Sequence, residues 1–107
     1  MNSMKDVYNK LKNVFKKIDI IYNEESNTID IINGKYIISA NDKMVELSKS
    51  FSYVNHKVNK DYKEVYKTIE RYIKDPNGYI KSKRIQIIVV LIISLLLTFI
   101  IGLILGI

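Results

Sequence analysis

The chain has 107 residues, one small domain's worth, and a formal net charge of +6 from 17 Lys and Arg against 11 Asp and Glu. It contains no Cys, which excludes a disulfide framework and any thiolate metal site. Ile, Lys and Asn supply 45 of the 107 residues, the bias of A/T-rich codons, which points to a low-GC genome as the source.

In chain order, Met4, Val7, Leu11, Val14 and Ile18 recur at alternating steps of three and four, joined by Tyr8 and Phe15. That spacing predicts an amphipathic helix over 3–17 with Ser3 as its N-cap. Lys5, Lys10, Lys12, Lys16 and Lys17 against Asp6 make this segment strongly basic. Its apolar stripe is expected either to pack on a following sheet or to lie on anionic headgroups, with Lys10, Lys12, Lys16 and Lys17 at the membrane surface.

Three β-branched runs come next, at 18–22, 28–32 and 35–40. Asn33-Gly34 between the last two predicts a two-residue type I′ hairpin in which Ile31 faces Tyr36 and Ile29 faces Ile38. Thr28, Asp30, Ile37 and Ser39 then share the opposite, mixed face. The expected element is a three-stranded antiparallel meander covered on one side by helices.

From Asn41 or Asp42 onward, Met44, Leu47, Phe51, Val54, Val58, Tyr62, Val65, Ile69 and Tyr72 step by three and four. This reads as a long helix over 42–74 with a stutter between Val58 and Tyr62, either broken near 55–59 or continuous with its distal half projecting. The apolar stripe is expected either to pack as a core helix or to pair with a partner helix, with Phe51, Val54, Val58, Tyr62, Val65 and Ile69 as the candidate partner seam. Asp75-Pro76-Asn77-Gly78 breaks the helix and predicts a turn, so 76–84 is expected to be a hinge-like turn and basic flank.

Residues 85–107 carry no charge, and their only polar side chains are Gln86, Ser94 and Thr98. At about 1.5 Å per residue this stretch crosses a hydrocarbon core of ~30 Å, so a transmembrane helix is expected there. Lys81, Lys83 and Arg84 immediately precede it, and the positive-inside rule places that flank, and the N-terminal domain, in the cytoplasm. The lysine-rich start of the chain lacks the apolar core of a signal peptide. Ser94, Thr98, Gly102 and Gly106 fall at intervals of four, a small-residue row suited to helix–helix packing in a membrane.

Catalytic chemistry has little to stand on. His56 is the one histidine, and Glu24 and Glu25 are adjacent in a loop. Asn33-Gly34-Lys35 lacks the spacing of a phosphate-binding loop. The tyrosines fall largely on apolar stripes, so the basic charge is better matched to lipid headgroups than to nucleic acid. No enzyme activity, cofactor, metal, nucleic acid or small-molecule substrate is expected.

The fold expected is therefore α+β: a domain over 1–75 ordered α-β-β-β-α, a flank over 76–84 and one membrane helix over 85–107. The functional expectation is a tail-anchored, single-pass membrane protein. Its cytoplasmic domain would act as a non-enzymatic protein-interaction or regulatory module, bound to lipids and to a membrane-bound protein partner. One alternative is an oligomerising, membrane-active protein of the holin or small-toxin kind, self-associating through its membrane helix. The other rests on layout. A heptad-bearing helix just before a C-terminal anchor, over 44–107, is similar to SNARE architecture and implies a tethering role. No Gln or Arg stands on the seam as a central layer, and Pro76-Asn77-Gly78 interrupts the helix.

Overall fold

The computed structural model describes residues 1–106, and every side chain among them except those of residues 81–88. Helix α1 (Met4–Val14) starts at Ser3, whose hydroxyl accepts a hydrogen bond from the Asp6 amide at 3.2 Å. It ends at Phe15, whose amide closes the last turn on the Leu11 carbonyl. Met4, Val7 and Leu11 are fully buried, so the first three positions of the stripe read from the sequence face the protein interior, while Val14 at the helix end is about half exposed.

Strands β1 (Asp19–Asn23), β2 (Thr28–Asn33) and β3 (Tyr36–Ala40) form the expected antiparallel hairpins. The β2–β3 turn differs from the expected one. Asn33 pairs with Tyr36, so Gly34 and Lys35 form the loop, and Gly34 has φ +62°. Glycine in the first central position with positive φ is the type II′ pattern, which twists with the flanking strands as type I′ does. The pairing therefore moves by two residues: Ile31 faces Ile38, Ile29 faces Ala40 and Ile32 faces Ile37. Because side chains alternate with period two, this slip leaves every residue on its expected face.

The segment expected to begin a long helix at 42 is instead β4 (Met44–Lys49) and β5 (Ser52–Lys57). The meander thus has five strands in the order β1-β2-β3-β4-β5, all antiparallel. Residues 48–59 contain Ser, Phe, Tyr, Val, Asn and His, with Lys as the only good helix former, so local propensity opposes a helix here. Val45, which the helical seam left out, alternates with Leu47 into the core, and both are fully buried. A β3 edge left unpaired would expose a row of amides and carbonyls; β4 satisfies them.

After β5, Asn59 and Lys60 take positive φ values of +45° and +61° and turn the chain into α2 (Tyr62–Lys74). Asp61 caps that helix by accepting from the Glu64 amide at 3.3 Å, in an Asp-x-x-Glu arrangement. Helix α2 buries Val65, Ile69, Tyr72 and Ile73 against the same sheet face as α1. The core joins these side chains to Ile20, Ile29, Ile31, Ile38, Ala40 and Leu47.

Asp75 serves two helices. Its amide closes α2 on the Arg71 carbonyl, and its carboxylate accepts from the Gly78 amide at 3.2 Å to start α3 (Pro76–Ile104). Pro76 sits in the first turn, where a missing N–H costs nothing. The break predicted at 75–78 is present, but the expected turn and flank over 76–84 is helical backbone, continuous with the apolar part of α3. The molecule is elongated as a result, 65 × 27 × 20 Å.

Among the described residues no helix is long and apolar enough to cross a membrane. Of the expected span, 85–88 and 107 lie outside the described side chains. The apolar remainder of α3 is shorter than the ~20 residues a crossing takes.

Candidate functional site

The six residues expected to form a partner seam are not a seam. Phe51 stands at the β4–β5 turn, Val54 is on β5, Val58 is buried in the loop after it, and Tyr62 begins α2. Val65 and Ile69 are fully buried core. With residues 44–57 in strands, the layout that resembled a SNARE is absent.

Lysines of α1 divide by position. Lys10 lies over the Tyr66 ring at 4.3 Å and Lys12 over the Tyr8 ring at 5.5 Å, while Lys16 and Lys17 are exposed in the loop to β1. With Met4, Val7 and Leu11 buried on the sheet, most of the α1 stripe is turned away from lipid and only Val14 at its end is exposed. Lys81, Lys83 and Arg84 lie outside the described side chains.

His56 sits on β5 rather than on a helix. Its Nε2 is 3.0 Å from Glu64 Oε1 on the first turn of α2, with both side chains partly exposed. Among the described residues no three of His, Cys, Asp or Glu gather in a metal-binding cluster. Burial raises the Tyr66 phenol above its ordinary value, assisted by a hydrogen bond to Glu70 and by that residue's charge. Tyr72 is raised by burial and, secondarily, by Tyr79, whose ring meets it edge-on with centroids 5.1 Å apart. Both are interior tyrosines of α2. The Thr68 hydroxyl beside them is buried with no hydrogen-bond partner.

Two exposed apolar surfaces stand out. One is the sheet face opposite the helices. Ile32 and Ile37 are paired neighbours there, each half exposed, with Ile21 and Tyr53 exposed on the same face. The other is α3, where the apolar side chains from Val89 to Leu105 are all exposed. Ser94 and Thr98 donate their hydroxyls to the carbonyls of Val90 and Ser94, each at 3.0 Å, so the helix satisfies its own polar side chains.

Ser94, Thr98 and Gly102 keep the four-residue row. Gly106 does not: it lies past the Leu105 cap with φ +79°, and its amide bonds the Leu103 carbonyl at 3.2 Å. It is the left-handed glycine that ends the helix.

Charge is distributed unevenly along the strand direction. One end of the sheet carries the α1–β1 loop, the β2–β3 turn, the β4–β5 turn and the α2–α3 junction. Lys16, Lys17, Lys35, Lys49 and Lys74 all fall there. The acids at that end are Asp19, on the first residue of β1, and Asp75, committed to capping α3; Lys74 also meets Glu70 at 3.6 Å. The other end carries Glu24, Glu25, Asp42, Asp61 and Glu64 among its lysines. Sequence order hides this polarity because the meander folds distant lysines onto one rim.

No protein-family model, curated protein or solved structure matches the chain.

Proposed function

We propose that the chain is a membrane-anchored, non-enzymatic interaction module: α3 is embedded in the bilayer, and the α+β domain faces the cytoplasm and binds a membrane-resident protein. The observation that carries this reading is the contrast within one chain. The domain closes its own core, whereas α3 holds a run of exposed apolar side chains, and the Ser94 and Thr98 hydroxyls among them are bonded to the helix's own carbonyls. In water such a surface is costly at ~25 cal/mol per Å². In hydrocarbon it is matched, and a helix that satisfies its own backbone and hydroxyls is one of the two structures lipid tolerates. The uncharged stretch 85–107 and the basic residues before it support one crossing with the domain on the cytoplasmic side.

The interaction role is supported by the open sheet face, where the paired Ile32 and Ile37 are each half exposed and Ile21 and Tyr53 are exposed among polar neighbours. Exposed apolar side chains grouped within a polar surround are of the kind that marks protein contacts. A protein held beside its partner in the membrane needs little affinity of its own, because anchoring raises the effective concentration.

The test uses the full chain in native membranes. It should stay in the pellet through alkaline carbonate extraction. With no native cysteine, a Ser26→Cys variant should be labelled by a membrane-impermeant maleimide only from the cytoplasmic side. Crosslinking should then capture one stoichiometric partner, lost in Ile32→Asp and Ile37→Asp. Release by carbonate would refute the anchor. Self-crosslinked ladders alone would favour the oligomerising, membrane-active reading and direct attention to Ser94, Thr98 and Gly102.

A further inference from the structure

We infer that the basic rim of the sheet, with Phe51 at its tip, is a docking face for an anionic bilayer surface, so that the domain sits on the membrane in a fixed orientation; this rests on α3 being membrane-embedded. Three independent observations meet at this rim.

The first is Phe51. At the β4–β5 turn it is 104% exposed, the most exposed of the large apolar side chains described. The turn that presents it is strained: Ser50, in its first central position, has φ +53°, a conformation ordinary side chains avoid. An aromatic ring held into solvent by a strained turn has no role in the core.

The second is charge. Lys35 is exposed on the neighbouring β2–β3 turn, and Lys49 flanks Phe51 with its ammonium 5.2 Å from the Tyr36 ring. Lys16 and Lys17 extend the same rim across β1. This is the arrangement that suits phosphate-bearing headgroups: an apolar tip to enter the interface, ringed by ammonium groups that stay at the headgroup level.

The third is connectivity. Helix α2 starts at the opposite end of the sheet, where Glu64 meets His56, and runs back to the rim. Helix α3 begins there, with Tyr36 bonded to Asn77 and Ile80 buried, and packs across β4 and β5. The strands nearest the departing helix are therefore those whose turn carries Phe51. The middle of the open sheet face, by contrast, includes Asp30 and Glu46, which an anionic surface would repel.

Because the chain has no tryptophan, Phe51→Trp is a single-reporter variant of the full chain, and a fully exposed site tolerates it without touching the core. The protein is reconstituted into phosphatidylcholine vesicles with and without phosphatidylglycerol, using brominated lipid as quencher. Phe99→Trp in α3 and Ser26→Trp at the far end of the sheet serve as references. The expected result is blue-shifted, quenched emission for Phe51→Trp in anionic vesicles, none for Ser26→Trp, and quenching of Phe99→Trp in both. Adding Lys35→Glu and Lys49→Glu should lower the docked-to-undocked ratio by at least about fivefold for each lysine reversed, since each reversal removes a positive charge and adds a negative one. If Phe51→Trp behaves as Ser26→Trp does while Phe99→Trp is quenched, the docking face is refuted and the anchor stands. If Phe99→Trp is also unquenched, both fall. Quenching of Phe51→Trp that is indifferent to lipid charge and to the lysine reversals likewise overturns the proposal.

Discussion

Tyr36 on β3 donates its phenolic hydrogen bond to Asn77 Oδ1 in the first turn of α3, joining residues 41 positions apart. With the Tyr72–Tyr79 ring contact and buried Ile80, it fixes where α3 begins relative to the sheet. Tyr36→Phe and Asn77→Ala should each destabilise the domain by about 0.5–1.5 kcal/mol in denaturant titrations run in detergent. The double variant should cost less than the sum. Additive effects would show that the two groups do not interact.

Adjacent isoleucines test the sheet's two faces. Ile38 is fully buried and Ile37 half exposed. Ile38→Ala should cost about 2–5 kcal/mol, and Ile37→Ala well under half of that. Equal losses would mean the sheet's outer face is covered in the free protein.

Thr68 offers a stabilising change. Its hydroxyl is buried without a partner, so Thr68→Val should raise stability by about 1 kcal/mol while Thr68→Ser does not. A loss on Thr68→Val, read from the thermal midpoint, would show that the hydroxyl is bonded in solution.

Ser50→Gly should likewise stabilise, by about 0.5–1 kcal/mol. Glycine occupies positive φ freely, and the gain is trimmed by its larger entropy in the unfolded chain. An unchanged denaturation midpoint would argue that the turn relaxes in solution.

The tyrosines of α2 set an alkaline limit. Folding raises the phenols of Tyr66 and Tyr72 above their ordinary value of 10.0, so the unfolded chain ionises first. Their contribution is therefore intact below pH 10 and is lost as pH rises through their native values. Unfolding midpoints measured at rising pH should fall above pH 10, and less so in Tyr72→Phe. A flat profile there would contradict the burial.

Several elements were legible from residue patterns because they are local. Ser3 and the three-four stripe of Met4, Val7 and Leu11 specify α1, and Asn33-Gly34 marks a hairpin. Asp75-Pro76 must break a helix, since the amide lost at Pro76 is harmless only in a first turn. The two-residue register slip escaped sequence reading because either residue pair can house a positive φ, and both registers keep Ile29, Ile31 and Ile38 on one face.

The stretch 44–58 shows what sequence periodicity cannot decide. Its apolar residues satisfy steps of three and four, yet Val45 and Leu47 also alternate, and the turn at Ser50-Phe51 carries none of the usual turn glycines or asparagines. The poor helix formers of 48–59 were the signal that could have found the strands. The same misreading put Phe51 on a helical seam and hid its place on the rim.

By itself the sequence determined which segments are apolar, where the chain must turn, and that residues 85–107 carry no charge, because these depend on side-chain chemistry at fixed spacing. Only the tertiary structure decided that β3 needed two more strands, since an edge is satisfied by whatever chain packs beside it. It also decided that lysines from 16 to 74 share one rim. Each turn is local, but which end of the sheet a turn occupies depends on the parity of the strands before it, a property of the whole meander.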